Sequence, residues 1–309
     1  MLRPGDRDDT VVIRTAPPTR RWMLAGLATA AGMGAGVLMW RPWAPRPIPV
    51  SIANFAEILA DQPHSIHVFR FAANKRVLVL DFASLHEQGL MLNRAAAFLE
   101  RAGFPHDRVV SEPELEAGIR KSGDEPDTFY YGHDYRAGDL VRFFDAALAS
   151  RVALTEQERW LGRLVQQEGW TRPAAIGALI SIPQLGANST VDLAARETIL
   201  RHELSHGEYF TNPRYAAYVR RFWDEVLRPE ECDLFRRYLS AQDYDAANEE
   251  LMMNEMQAYL MFTRDRRFFD PNALGIAPDR LQSLRFQFYD GMPAGWVKDA
   301  TTNPAGDLL

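Results

Sequence analysis

The apolar and polar positions of the chain follow two different periods. Val77-Leu-Val-Leu-Asp-Phe82 is a short, almost continuous apolar run, which is typical of a buried strand. Between Glu87 and Ala102 the apolar residues recur every three or four positions, which predicts a helix. A buried strand followed at once by an amphipathic helix indicates a β-then-α unit in this part of the chain.

Further signals of secondary structure lie on both sides of residue 150. They are a short strand at Val109-Val110, a helix that starts at Ser111-Glu-Pro-Glu, an amphipathic helix over 137–149, and a capping box of Thr155 with Glu158. From Thr155 the pattern is almost wholly helical as far as Phe269, with turns at Asn212-Pro213 and Pro229. The sequence therefore predicts an α+β fold that is predominantly helical. A small α/β lobe is expected over 51–150, followed by a helical lobe over 151–309.

The run from Trp22 to Trp40 carries no charge and is rich in Ala, Gly, Leu and Met. Its 19 residues are about long enough to span the hydrocarbon core of a bilayer. A buried helix of a soluble protein is less well supported, because the run is Gly-rich and flanked by arginines. We predict that residues 22–40 are a transmembrane anchor or an export signal.

The residues around this run indicate its orientation. Residues 1–21 contain Arg20-Arg21 preceded by Thr19, which is similar to a twin-arginine export signal. More arginines lie before the run than in the Pro-rich spacer over 41–50, so the positive-inside rule places the N-terminus in the cytoplasm. The body is then expected on the periplasmic or extracytoplasmic side of the inner membrane. Since no convincing small-x-small cleavage site follows the run, an uncleaved single-pass anchor is favoured.

The charge balance of the remaining chain limits the class of partner. Residues 47–309 contain 28 Lys and Arg against 38 Asp and Glu, a formal charge of −10. Such a balance disfavours nucleic acid and anionic lipid as partners, so membrane attachment is expected through the N-terminal segment. Cys232 is the single cysteine, which excludes an internal disulfide framework and leaves stability to the hydrophobic cores.

The strongest chemical signal is the His-Glu-x-x-His motif over 202–206, inside a predicted helix. Positions i and i+4 lie one helical turn apart, so His202 and His206 can offer two imidazoles to one Zn²⁺ ion. Glu203 lies beside them, where its carboxylate can take a proton from an attacking water and make that water a nucleophile. The motif therefore predicts a zinc hydrolase.

A catalytic zinc ion usually has three protein ligands, so a third must be found. Because no histidine follows His206, a carboxylate is expected. Glu255 is the best candidate, since it interrupts an apolar helix face and a buried carboxylate needs a partner. That face is formed by Leu251, Met252, Ala258, Tyr259 and Phe262. Glu250 and Glu208 stay open as alternatives.

These residues resemble the gluzincin type of zinc metallopeptidase, in which a second helix supplies a glutamate ligand. The resemblance rests on His202-Glu203-Leu204-Ser205-His206 and on Asn254-Glu255-Met256-Gln257-Ala258-Tyr259. It implies that His202, His206 and Glu255 bind Zn²⁺ and that Glu203 is the general base in peptide hydrolysis. It also suggests that the extended segment over 176–182 is a sheet edge that pairs with substrate backbone, although a buried connector fits that segment equally well.

A second stretch dense in functional side chains is Phe129-Tyr-Tyr-Gly-His-Asp-Tyr135. His133 from this stretch is a candidate for stabilising the oxyanion or contacting substrate. The alternative is a packed aromatic turn in which His133 caps a helix. Tyr209, Tyr259 and Tyr244 compete for the oxyanion role, and the sequence does not choose among them.

The predicted function is that of a zinc-dependent metallopeptidase acting on a peptide or protein outside the cytoplasm. One alternative is a non-catalytic, zinc-stabilised, membrane-anchored scaffold or binding protein, which would hold zinc without turnover that depends on Glu203. Another is a metal-free binding protein in which the α/β lobe is the working part. Replacing His202 would then change neither stability nor function.

Overall fold

The computed structural model describes residues 46–302, which form a mixed α+β structure. The strands are β1 (Ser51–Ala53), β2 (His67–Phe71), β3 (Val77–Phe82), β4 (His133–Arg136) and β5 (Ala178–Pro183). The first helices are α1 (Phe55–Ala60), α2 (Leu85–Leu99), α3 (Glu112–Ser122), α4 (Ala137–Ala149) and α5 (Glu156–Gln167). They are followed by α6 (Leu193–Thr211), α7 (Pro213–Arg221), α8 (Pro229–Ser240), α9 (Glu249–Met261), α10 (Pro271–Leu274), α11 (Pro278–Gly291) and α12 (Trp296–Thr302). The predicted predominantly helical α+β class is confirmed.

The five strands form one sheet in the order β1-β2-β3-β5-β4. β3 and β5 pair in parallel, from Val77 opposite Ala178 to Phe82 opposite Pro183. All residues of these two strands are buried, which fits their central place and their nearly continuous apolar sequences. β4 is antiparallel to β5 and lies at one end of the sheet. The sheet thus includes strands from both sides of residue 150.

Helices cover both faces of this sheet. On one face, α2, α4 and α5 pack against Leu78 and Leu80 of β3. On the other face, α1 and α6 pack against Val77 and Val79, the alternate residues of the same strand. Gly207 allows α6 to lie close to the sheet, since a Cβ there would be 2.9 Å from Cγ1 of Val77. The helix that carries the His-Glu-x-x-His motif therefore packs along one side against the sheet.

A third core lies among the later helices. Tyr215 of α7, Phe235 of α8, Met256 of α9 and Phe288 of α11 are all buried in it. α9 contacts both this core and α6. The helical half therefore holds one face of α9 against the motif helix.

Local helix signals are confirmed by the structure. The capping boxes predicted at Ser111 and at Thr155 open α3 and α5. Prolines occupy the first turns of α7 and α8, where turns are predicted. A capping box depends on hydrogen bonds between residues three apart, and proline acts through its own backbone geometry. A local sequence pattern is therefore enough to predict such helix starts.

One other local prediction is wrong, and the structure decides between two alternatives that the sequence left open. Val109-Val110 is not a strand, although both residues are buried, because side-chain burial alone produces the same apolar signal. The segment over 176–182 contains β5, which lies between β3 and β4 and is paired on both sides along Ala178–Ser181. A substrate strand therefore has no free edge along Ala178–Ser181, and the buried alternative is the one that the structure supports.

The predicted segments over 1–21 and 22–40, and the first half of the spacer over 41–50, lie outside the described residues. Among residues 46–302, no helix combines the length and the apolar character that crossing a membrane requires. The membrane anchor thus stays a prediction from sequence.

Candidate metal centre

The His-Glu-x-x-His motif lies in the middle of α6. Asp192 caps the start of this helix, because its side chain accepts a hydrogen bond from the Ala195 amide. The rings of His202 and His206 have centroids 4.7 Å apart, one turn along the same helix. α6 therefore presents both imidazoles to the same space.

α9 brings Glu255 to these two imidazoles. Its carboxylate oxygens lie 3.7 Å from Nε2 of His202 and 3.7 Å from Nε2 of His206. One ligand atom from each of the three residues falls within 4.8 Å of the others. Two imidazoles and one carboxylate are a donor set typical of catalytic zinc.

A buried chain of hydrogen bonds holds α9 against α6. The Tyr215 hydroxyl donates to Oε1 of Gln257 (2.7 Å), and Nε2 of Gln257 donates to Oγ of Ser205 (3.1 Å). Ser205 in turn donates to the carbonyl of His202 (2.7 Å). The small, fully buried Ala258 lets the two helices approach. These contacts fix the separation between the two imidazoles of α6 and the Glu255 carboxylate of α9.

Within residues 46–302, several polar atoms of this group have no hydrogen-bond partner. They are both ring nitrogens of His206, Oε2 of Glu203 and Oε2 of Glu255. The side chains of His206 and Glu255 are 0% and 1% exposed, so bulk water does not satisfy these atoms. Each buried, unsatisfied polar group costs about 1–3 kcal/mol. A cation that contacts Nε2 of His206 and the Glu255 carboxylate, which lie 3.7 Å apart, would explain why these two groups lack hydrogen-bond partners.

The orientation of His202 also favours a metal. Thr263 donates its hydroxyl hydrogen to the carbonyl of Ala258 (3.0 Å) and lies 2.7 Å from Nδ1 of His202. From this network we assign the proton of the neutral ring to Nδ1, so that Thr263 accepts it. Nε2 then carries the lone pair, lies 3.7 Å from the carboxylate of Glu255 and is available to a cation.

Burial and mutual repulsion raise the pKa values of the carboxylates around this point. For Glu255, burial is the largest cause, followed by the charges of Asp134 and Glu100. The pKa of Glu203 is raised first by burial and then by the charges of Asp134, Glu255 and Glu100. Burial is also the main reason why the pKa of His202 is lowered. A divalent cation would stabilise the ionised carboxylates and would use the neutral imidazole as a ligand.

A cleft of about 280 Å³ opens onto His202 and Glu203. Aromatic side chains form much of its wall, namely Phe129, Tyr130, Tyr131, Tyr244, Tyr259 and Phe268. Gly132 also lines the cleft, and a Cβ at this position would lie 2.1 Å from Oε1 of Glu203. The backbone therefore approaches the Glu203 carboxylate so closely that only glycine leaves room for it.

The residues predicted as oxyanion or substrate contacts lie in different places. Tyr259 lines the cleft, and its ring packs edge-on against His202 at 5.1 Å. Tyr209 instead donates a hydrogen bond to Oε1 of Glu250 on α9 (3.0 Å). His133 is buried on the other face of the sheet, 2.9 Å from Oγ of Ser181, and burial lowers its pKa to about 3. Of these three predicted residues, only Tyr259 borders the space next to Glu203.

The two alternative third ligands are engaged elsewhere. Glu250 accepts hydrogen bonds from Arg136 (2.7 Å) and from Tyr209. Glu208 accepts from the Trp296 indole (2.7 Å) and from two asparagine side chains. Both carboxylates are thus already partnered, whereas Glu255 lies against the two imidazoles.

Sequence reasoning missed three residues of the site. Asp134 places Oδ2 3.8 Å from Nε2 of His206, and Glu100 adds a further buried carboxylate nearby. Thr263 orients His202. Asp134 lies inside the stretch over 129–135 that the sequence analysis identified. If this stretch had been read as a strand, the alternation of side chains between the two sheet faces would have placed Asp134 and His133 on opposite faces. Neither Glu100 nor Thr263 belongs to a recognisable motif.

The chain was compared with protein-family models, curated proteins and solved structures. No family model, curated protein or solved structure matches it. Its function therefore has to be inferred from the chemistry of the site.

Proposed function

We propose that this protein is a zinc-dependent peptidase. The observation that carries the proposal is Nε2 of His206, a buried atom that has no hydrogen-bond partner among the described residues and lies 3.7 Å from the Glu255 carboxylate, beside the ring of His202. The donor set of His202, His206 and Glu255 fits zinc. When bound, zinc would polarise a scissile carbonyl and lower the pKa of a water molecule.

The protein's own groups supply the proton transfers. Glu203 has Oε2 unpartnered within the described residues and borders the cleft, so it can take a proton from the attacking water. It would then pass this proton to the nitrogen of the leaving amine. Burial, the largest cause, raises the pKa of Glu203, which makes its carboxylate a stronger base.

Other side chains of the cleft would position the substrate. Tyr259 and Tyr244 both line the cleft that Glu203 borders, and we propose that a hydroxyl of one of them stabilises the developing oxyanion. The aromatic wall would exclude water and contact apolar parts of a peptide. We propose that the substrate is a peptide or protein.

The location of the activity follows from the N-terminal sequence. Arginines before the uncharged run over 22–40 favour a body outside the cytoplasm, attached to the inner membrane or exported by the twin-arginine route. The proposed substrates are therefore extracytoplasmic.

Removal of the metal should abolish hydrolysis reversibly. We expect a chelator to suppress cleavage of a mixed peptide library by the purified full-length protein, and stoichiometric Zn²⁺ to restore it after the chelator is removed. Cleavage is followed by mass spectrometry, with Mg²⁺ as a control because it prefers oxygen ligands. Cleavage that is unaffected by exhaustive chelation would contradict the proposal.

A further inference from the structure

A second hollow, of about 790 Å³, is lined by the segment that follows α9, by α10 and by α11. Its volume falls within the range of about 300–1,000 Å³ that is usual for ligand pockets. Thr263 and Phe268 line the aromatic cleft, whereas Arg264 and Arg266 of the same segment line this hollow. Since the hollow and the cleft share no lining residue, the hollow is separate from the metal centre.

Three arginines bring positive charge to the hollow, namely Arg264, Arg266 and Arg285. Asp279 is the one acidic residue among the described residues that line it, and its side chain is exposed. Within residues 46–302, neither Arg266 nor Arg285 forms an ion pair with a carboxylate. The hollow therefore has an excess of positive charge.

Arg285 is partly buried, and only its Nε has a hydrogen-bond partner among residues 46–302. Nε donates to the carbonyl of Leu260 (2.9 Å) in the last turn of α9. This contact caps α9, but it uses one of the five N–H groups of the guanidinium. Burial and then the charge of Arg264 lower the pKa of Arg285 to about 10. Arg285 is therefore still charged at neutral pH.

Two buried arginines elsewhere in the described chain show what such a charge normally requires. Arg196 pairs with Asp81, and Arg94 pairs with Glu158. Arginine binds carboxylate and phosphate groups through two parallel hydrogen bonds. Residues 47–309 carry a formal charge of −10, so a local excess of arginine stands out against an acidic body. An anion from outside the chain would supply the charge that the hollow lacks.

Apolar side chains form another part of the wall, among them Ile276, Leu281 and Phe286. Phe286 is 68% exposed, although it is a large hydrophobic residue on a helix that packs into a core. Covering exposed apolar surface of this kind is favourable. A ligand that carries an apolar part as well as a negative charge would therefore match both kinds of wall.

We propose that this hollow binds a small organic anion. A carboxylate or phosphate group would accept hydrogen bonds from Arg266 and Arg285, and an apolar part would lie against Ile276 and Phe286. The site uses neither the metal nor the cleft, so this binding does not depend on the proposed peptidase activity.

Direct binding of simple probes to the full-length protein tests this site. Octanoate and octyl phosphate share an apolar chain and differ in the anionic group, so their relative affinities show which group is preferred. Octylammonium has the same chain and the opposite charge, and inorganic phosphate has no chain. By isothermal titration calorimetry, we expect one saturable site for octanoate or octyl phosphate. That probe should bind about tenfold or more tighter than octylammonium and inorganic phosphate, because charged hydrogen bonds and the apolar contact are both needed.

Three variants and one control locate the binding. Arg266→Gln and Arg285→Gln should each weaken the tighter probe by about tenfold or more, since each removes hydrogen bonds to a charged group. Phe286→Ala should weaken it by about threefold or more through lost apolar contact. Arg237→Gln is the matched control, because Arg237 is an exposed arginine of α8 that does not line the hollow. It should change the affinity by less than about twofold.

The exposed positions keep the test decisive. Arg266→Gln and Phe286→Ala should melt at the parent temperature even if Arg285→Gln, which loses the contact with Leu260, unfolds more easily. No saturable binding of either anionic probe would overturn the proposal, as would equal binding of octylammonium or an equal loss in Arg237→Gln.

Zinc removal separates this site from the metal centre. We expect the tighter probe to bind equally well before and after treatment with a chelator, since no residue of the hollow belongs to the donor set. Binding that disappears with the metal would place the probe at the metal centre and overturn the hollow as its site. A parent that binds the probe but no zinc would overturn the peptidase and leave the anion site standing.

Discussion

Replacing Glu203 with Gln is expected to lower peptide hydrolysis by about 10²–10⁴-fold, the usual contribution of a general base. The amide is nearly isosteric with the carboxylate but cannot take a proton from water. Since Glu203 is not one of the three proposed ligands, His202, His206 and Glu255, the variant should keep its zinc. Initial rates on a cleaved peptide, measured beside zinc content by elemental analysis, test both parts.

Gly132→Ala offers an independent test of the same carboxylate. The added methyl carbon would lie only 2.1 Å from Oε1 of Glu203, so the carboxylate must move away. We expect zinc to be retained and hydrolysis to fall.

If Glu203→Gln instead hydrolyses peptides as fast as the parent, Glu203 is not the base. Bound zinc without any turnover that depends on Glu203 would favour the non-catalytic, zinc-stabilised scaffold.

Arg196→Met is expected to lower the free energy of unfolding by about 3–5 kcal/mol, the usual cost of breaking a buried ion pair. Arg196 lies in the first turn of α6 and pairs in two-pronged fashion with Asp81 of β3, at 2.9 and 2.6 Å, with both side chains 0% exposed. It also donates to the carbonyls of Ile58 and Pro183. The substitution would leave Asp81 buried without its cation. Urea unfolding measures the change.

Two further variants separate this ion pair from general damage. Burial already raises the pKa of Asp81 to about 6 even with Arg196 present, so the double variant Asp81→Leu/Arg196→Met should lose less stability than the sum of the single changes. Arg120→Met removes an arginine whose ion pair with Glu116 is exposed and should change little. A loss below about 1 kcal/mol in Arg196→Met would show that the pair does not anchor α6.

The parts of the site that sequence could predict are those encoded by helical spacing. The i, i+4 relation fixes how His202 and His206 lie on one helix, wherever that helix packs. Glu255 was detectable because a charge interrupts an apolar helix face, and such an interruption needs a partner. Both signals are local, so they do not depend on knowing the tertiary structure.

The parts that sequence could not predict depend on contacts between distant segments. Asp134 approaches His206 only because the four-residue strand β4 pairs with β5. In this pairing Asp134 lies opposite Ile180. So short a strand has almost no periodic signal of its own. The same limit explains Val109-Val110, where two buried residues imitate a strand without pairing. Burial gives an apolar pattern, but register decides which polar side chains meet.

Zinc content per chain tests the central claim most directly. Full-length parent, His206→Ala, Glu255→Ala and Glu250→Ala are each reconstituted with Zn²⁺, freed of excess metal and analysed for zinc. Glu250→Ala is the matched control, because Glu250 lies on the same helix but pairs with Arg136. We predict about one zinc in the parent and in Glu250→Ala, and loss of zinc in His206→Ala and Glu255→Ala. No zinc in the parent, or full zinc in Glu255→Ala, would contradict the site.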